Sequence, residues 1–158
     1  MSRLTVKNAS EIAKMRATGA IVRDALELLG RSAGAGVTTL ELDRIAAEFL
    51  ASRGAKASFL GYNGYPASIC ASVNAQVVHG IPDGYKLREG DILSVDIGAL
   101  KDGYHGDAAR TFFVGQVSGE ARKLVEVTRE CFFLGAAEAR EGRHIADISR
   151  AVEAHAHS

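Results

Sequence analysis

The chain has 158 residues, 47% of them hydrophobic, and its 19 basic residues balance its 19 acidic ones. This length suits one domain that buries roughly two thirds of its unfolded surface, and the balanced charge gives no indication of binding to nucleic acid or anionic membranes. No apolar run approaches the roughly 18 residues of a membrane helix, and the charged N-terminus is unlike a signal peptide. Cys70 and Cys131 are too few for a disulfide framework. These features predict a soluble protein of the cytoplasm.

Two amphipathic helices are predicted near the N-terminus. Apolar residues recur at helical spacing over residues 9–29, with Ser10 as a cap and a glycine-rich break that begins at Gly30. The second pattern covers residues 38–54 and stops at Gly54. The chain therefore opens with a helical pair.

The central part of the chain has the composition of a sheet. Residues 58–84 are rich in glycine, tyrosine and β-branched residues, which predicts short strands linked by tight turns. Residues 91–115 predict a hairpin that turns either at Lys101-Asp102 or at Asp102-Gly103. Helical patterns return from Glu120 to the end of the chain.

A weak internal repeat relates the two helical regions. Shifting the chain by 106 positions places similar residues opposite each other in the order helix, glycine break, helix. The aligned pairs are Arg16 with Arg122, Leu28 with Leu134, Gly36 with Gly142, Leu42 with Ile148, Arg44 with Arg150 and Ser52 with Ser158. We expect one incomplete domain over residues 1–158, with a first repeat at about 9–115 and the start of a second at about 116–158. On this interpretation the chain is a truncated two-repeat protein.

Two aspartates interrupt the predicted hairpin, one in each strand. In either register Asp96 and Asp107 share a face, because side chains alternate along a strand. Carboxylates at cross-strand distance repel each other, so either one is protonated or a cation lies between them. An ordinary solvated sheet edge is the alternative interpretation. The apolar opposite face and the nearby Gly98, Gly103 and Gly106 favour a divalent cation, whose other ligands must come from elsewhere.

Histidines supply further candidates for the site. His79 ends the apolar run of "NAQVVHGIPDG", where it could project from a strand end as a ligand, an acid–base group or a hydrogen-bond partner of a substrate. Spacing alone does not choose among these roles. His105 has the strand parity of Asp107, and we expect it to be mainly structural.

The segments "GYNGYPASICASVNAQVVHGIP" and "GDILSVDIGALKDGYHGDAARTFFVG", with the helices before them, resemble the type I methionine aminopeptidases of bacteria. The resemblance runs from about Val6 to the last residue. It implies an α+β fold, namely the N-terminal half of the creatinase-like "pita-bread" fold plus the opening helices of its second, pseudo-symmetric half. It also implies metal-dependent removal of the N-terminal methionine from new proteins.

Site residues follow from this resemblance position by position. Asp96 and Asp107 match metal ligands, with Asp107 bridging two divalent ions, and His79 matches the catalytic histidine near the scissile peptide. The pocket for the methionine side chain is matched by Phe59, Tyr62, Tyr65 and Cys70. Without the resemblance, ordinary core packing is the preferred interpretation of these aromatic residues.

The resemblance places one His and two Glu ligands, including the general base, beyond Ser158. The chain alone is therefore expected to bind metal weakly and to lack useful catalysis. The resemblance implies two divalent metal ions as cofactors. Carboxylate ligands alone do not determine whether these ions are Co, Mn, Fe or Zn. Nascent polypeptide N-termini are the expected partners, a site near the ribosome would suit that role, and the complete protein is expected to be a monomer.

Two rival functions remain open. An Xaa-Pro peptidase of the same fold shares the pattern "VDIGA…GY…D…RTF", although "GYHGD", "VVHGIP" and "GYNGYP" favour the methionine enzyme. The other rival is a non-catalytic binding module that kept the fold and lost the chemistry.

Overall fold

A computed structural model describes residues 5–158, and these divide into two compact units, one ending at Gln116 and one spanning Val117–Ser158. Residues 1–4, which belong to the segment used above to argue against a signal peptide, lie outside the described residues. No helix within residues 5–158 is both long and apolar enough to cross a membrane. The first unit contains α1 (Ala9–Ser32), α2 (Thr39–Ser52), β1 (Lys56–Ala57), a 3-10 turn (Tyr62–Gly64), β2 (Ile69–Val73), β3 (Ile92–Lys101) and β4 (Tyr104–Phe113), and the second contains α3 (Gly119–Glu138) and α4 (Ile145–Ala156).

Helix α1 begins at residue 9 as predicted and ends later than predicted, at Ser32. Its cap is Asn8, which forms a reciprocal capping box with Glu11, so the expectation for Ser10 was wrong. Gly30 does not break the helix. It lies inside α1 against the ring of Phe112, and the absence of a side chain there allows this close approach.

The four strands form one antiparallel sheet around β3. β1 and β2 pair with successive parts of β3, and β4 pairs along its whole length on the other side. Of the several strands predicted over residues 58–84, only β2 forms at full length. Residues 74–91 instead cross the surface as a loop, so His79 lies in this loop and not at a strand end.

The hairpin uses the second of the two possible registers. Lys101 pairs with Tyr104, and Asp102 and Gly103 form the turn with φ of 51° and 81°. Asp96 therefore lies opposite Ala109, and the two aspartates are diagonal neighbours on one face.

The other face of the sheet carries the core, as the sequence predicted. Leu93, Val95, Ile97 and Ala99 are completely buried, and they join the buried stripes of α1 and α2 in one cluster. Two expectations need correction. The apolar run Phe112-Phe113-Val114 predicts buried residues at the end of the hairpin, but Phe112 and Phe113 are only partly buried. Gly106 lies against the backbone of α1 and so leaves no room near the carboxylates.

The second unit is a packed pair of helices. Gly135 in α3 lies against Ile148 and Val152 of α4, and the thiol of Cys131 donates to the Val152 carbonyl at 3.6 Å. Helices α2 and α4 begin 106 residues apart, at Thr39 and Ile145. This spacing supports the repeat, which stays a prediction.

Candidate active site

The two aspartates lie on the sheet face opposite the core. Asp96 in β3 is half-buried and Asp107 in β4 is exposed. Strand alternation produces this, because Val95 and Ile97, the neighbours of Asp96 in β3, are buried in the core on the opposite face. The hairpin alone therefore brings two acidic groups to one surface.

Gly98 is a position of close packing beside these side chains, and it is buried. Gly98 pairs with Asp107, and a Cβ built on it would lie 3.1 Å from Oδ2 of Asp107 and 2.9 Å from the ring of Phe59. A side chain there would collide with Ser58 and Phe59, so glycine lets these two residues pack against the sheet beside the carboxylate. Gly98 therefore does not leave the open space predicted for it, and Gly103 lies in the turn.

The Asp96 carboxylate is poorly compensated. Burial and then the negative charge of Asp107 raise its pKa, while His79 and the backbone N–H of Ile97 oppose that rise more weakly. Its Oδ1 is buried and has no hydrogen-bond partner among the described residues. A buried acceptor without a donor is costly, so this oxygen suits a bound cation.

The raised pKa of Asp96 predicts how the stability of the metal-free chain depends on pH. Between the usual value of 3.8 and the raised folded-state pKa, the folded chain binds more protons than the unfolded chain. The free energy of unfolding should therefore fall as pH rises through this window. Asp96→Asn should remove that component. Urea unfolding with a chelator, at a series of pH values, measures it.

Asp102→Asn is the matched control for this measurement, because it makes the same change in the exposed turn, where Asn suits the positive φ. Its pH curve should stay parallel to that of the unmodified chain. If the Asp96→Asn curve is parallel as well, the raised pKa is contradicted.

The wall beside the carboxylates is built from β2 and the loop before it. Cys70 is the direct cross-strand neighbour of Asp96 and is 5% exposed. Burial raises the pKa of its thiol, the two aspartates add to this, and a hydrogen bond with Tyr65 opposes it. The thiol therefore stays neutral near pH 7 and presents a small apolar surface.

Tyr65 and Phe59 complete this wall. Their rings meet edge to face with centroids 6.5 Å apart. The Tyr65 hydroxyl lies within donating distance of two carbonyls, Ile69 at 3.0 Å and Gly80 at 3.2 Å. Burial raises the pKa of Tyr65 first of all, so this hydroxyl keeps its proton as a donor.

The other three residues predicted from the sequence, His79, Tyr62 and His105, lie in different environments. His79 is exposed, has φ of 60°, and is close enough to lower the pKa of Asp96. Tyr62 lies in the 3-10 turn and is 70% exposed, so it is not packed with the wall. His105 bonds Ser58 through Nδ1 at 2.8 Å, in keeping with the structural role predicted for it.

Two supporting residues were not found from the sequence. Oδ1 of Asp43 on α2 accepts the backbone N–H groups of Ser68 and Ile69 at 2.7 and 3.0 Å, which fixes the start of β2. Ser72 shares the site face of β2 with Cys70 and accepts the Gly80 N–H at 3.1 Å. The alternation of Cys70 and Ser72 in a buried strand was the available signal.

A complete metal-binding cluster is not formed by residues 5–158, since no three His, Cys, Asp or Glu residues there are grouped so as to hold an ion. Two carboxylates supply fewer than the four to six ligands that such ions usually take. The site is therefore a partial one within this chain.

The fold and the paired carboxylates define a class of metal-dependent peptidase, and comparison with known proteins identifies the family. The chain belongs to metallopeptidase family M24, whose model matches residues 13–158. Over 156 residues it is 49% identical to the methionine aminopeptidase of Clostridium acetobutylicum, covering 98% of this chain and 62% of that protein.

Solved structures agree with this assignment. The crystal structure of methionine aminopeptidase from Rickettsia prowazekii superposes with a TM-score of 0.96 at 32% identity, over 98% of this chain and 62% of the other. Xaa-Pro dipeptidase from Bacillus anthracis gives 0.72 at 24% identity, covering 82% of this chain and 35% of that one, which shows the fold alone. The predicted half of the pita-bread fold and the resemblance to methionine aminopeptidases are both confirmed. The chain spans about three fifths of the length of the curated methionine aminopeptidases that it matches.

Proposed function

We propose that this chain contributes one half of the active site of a methionyl aminopeptidase, a hydrolase that removes the N-terminal methionine from new proteins. The observation that carries the proposal is the pair Asp96 and Asp107 on one face of the hairpin, with Oδ1 of Asp96 buried and unpartnered among the described residues. Its 49% identity with a methionine aminopeptidase supports the substrate. The remaining ligands, one His and two Glu, would come from outside residues 1–158.

The donors present fit a divalent cation. Both are hard carboxylate oxygens, and Oδ1 of Asp96 is buried with no partner among the described residues. Two divalent ions of the Co, Mn, Fe or Zn type, when bound, would supply an activated water and positive charge for peptide hydrolysis. Asp96 and Asp107 would hold them, with Asp107 shared between the two.

The chain's other residues would bind and orient the substrate. His79 would hydrogen-bond near the scissile peptide and assist proton movement there. The neutral Cys70 thiol, Tyr65 and Phe59 would line the slot for methionine, whose flexible thioether packs well against aromatic rings. Tyr62 would join this slot only by turning inward from its exposed position.

The cellular setting is part of the same proposal. The substrates would be nascent polypeptide N-termini in the cytoplasm, reached near the ribosome. The complete enzyme would be a monomer. It would make no direct contact with nucleic acid, which the balanced charge of this chain supports.

A chimera tests the proposal. The segment that the resemblance places beyond Ser158 is taken from the Clostridium acetobutylicum relative and joined to this chain. We expect metal-dependent release of methionine from a Met-Ala-Ser peptide, loss of activity with a chelator, and no cleavage of an Xaa-Pro dipeptide. Xaa-Pro cleavage would favour the proline-specific rival, whereas a folded chimera without hydrolysis or metal binding would favour the binding module.

A further inference from the structure

The backbone of His79 is held in an unfavourable conformation. Four described non-glycine residues have positive φ, and three of them are Asn or Asp, whose short side chains tolerate this region. His79 is the fourth, with φ of 60°. A conformation of this kind is unfavourable for a residue with a side chain and persists only where the surroundings enforce it.

The enforcing contacts are made by the next residue, Gly80, with β2. The Gly80 N–H donates to Oγ of Ser72 at 3.1 Å, and its carbonyl accepts the Ala71 N–H at 2.8 Å. Tyr65 reaches the same carbonyl at 3.2 Å. Any side chain at residue 80 would collide with the Ala71 carbonyl oxygen, so only glycine can approach β2 this closely.

Ser72 connects the sheet to this loop through its hydrogen bond with Gly80. It is 3% exposed in β2, opposite Ser94 of β3 and on the same face as Cys70. Val77 and Val78, the loop residues just before His79, are 87% and 65% exposed and supply little packing. The loop is bonded to β2 at Gln76 and at Gly80, and Gly80 is the residue directly next to His79.

We propose that Ser72 is a positioning residue, which holds the His79 imidazole beside the Asp96–Asp107 site through its bond to Gly80. The inference rests on the proposed role of His79. Ser72 itself touches neither substrate nor metal. Its loss should therefore reduce turnover through His79 alone.

A double-mutant cycle in the chimera tests this inference. Ser72→Ala should lower kcat roughly fivefold to tenfold, as expected for one lost buried hydrogen bond, with KM within about twofold. In a His79→Ala background, Ser72→Ala should cause no further loss. Ser72→Thr should restore kcat, and Ser94→Ala should leave it unchanged, because that hydroxyl bonds Thr111 and not Gly80.

Each other outcome is decisive. Equal losses from Ser72→Ala in both backgrounds, or no loss in either, would overturn the positioning role while His79 keeps its function. If His79→Ala leaves kcat unchanged, the proposed function of His79 fails and the inference falls with it.

A second measurement does not require catalysis. In the 158-residue chain, NMR-detected hydrogen exchange should show a protected Gly80 amide. Ser72→Ala should accelerate that exchange and Ser94→Ala should not. A Gly80 amide that exchanges at the unprotected rate in the unmodified chain overturns the inference.

Discussion

Asp107→Asn should reduce metal-dependent methionine release by the chimera more than about a hundredfold in kcat/KM. Losing an outer partner of a metal ligand already costs 10–100-fold, and Asp107 would contact both ions directly. Asn keeps the volume and removes the charge, so the change isolates electrostatics. Calorimetric titration with Mn²⁺ on the same variant should show weakened binding.

Asp102→Asn is the control, since it removes one carboxylate from the neighbouring turn without approaching the site. The charge of Asp107 also raises the pKa of Asp96. An Asp107→Asn chain without metal should therefore show a lower Asp96 pKa when the carboxyl carbon is titrated by NMR. Full activity in Asp107→Asn would contradict the metal-ligand assignment.

The sequence was a good guide wherever local periodicity decided the structure. The helices and the hairpin formed near the predicted bounds, because amphipathic stripes and alternation require burial of one face. The common face of Asp96 and Asp107 followed from strand parity alone. Parity did not choose the register, which the turn at Asp102-Gly103 settled.

Prediction failed where distant parts of the chain decide the outcome. Gly30 reads as a helix breaker in sequence, yet contact with Phe112 from β4 gives it a packing role inside α1. The apolar residues before His79 read as a strand. They form an exposed loop, which Gln76 ties to Val73 and Gly80 ties to Ala71 and Ser72.

The same distinction between local and distant interactions applies to the candidate site. Asp96 and Asp107 were placed on one face correctly because hairpin geometry is local. Asp43 and Ser72 were missed because each acts on backbone groups that are distant in sequence or lie across a loop. The ligands needed to complete the site could not be found from spacing within residues 1–158.

Gly106 shows how one glycine can be assigned to the wrong face, and its substitution has a large expected effect on stability. A Cβ at Gly106 would lie 2.9 Å from the backbone N of Gly19 and 3.0 Å from the backbone C of Thr18. Backbone atoms of α1 cannot rotate away, so Gly106→Ala must push α1 from the sheet. Overpacking of this kind typically costs about 1–3 kcal/mol.

Urea unfolding should show this loss for Gly106→Ala. Gly34→Ala is the matched control, because no atom lies within 4 Å of its added Cβ and its φ is not positive. That variant should be unchanged or more stable by up to about 1 kcal/mol, since alanine restricts the unfolded chain. If Gly106→Ala instead kept full stability and weakened only metal binding, Gly106 would serve the carboxylate face after all. A loss of stability assigns it to the packing of α1 on β4, which holds the hairpin that carries both aspartates.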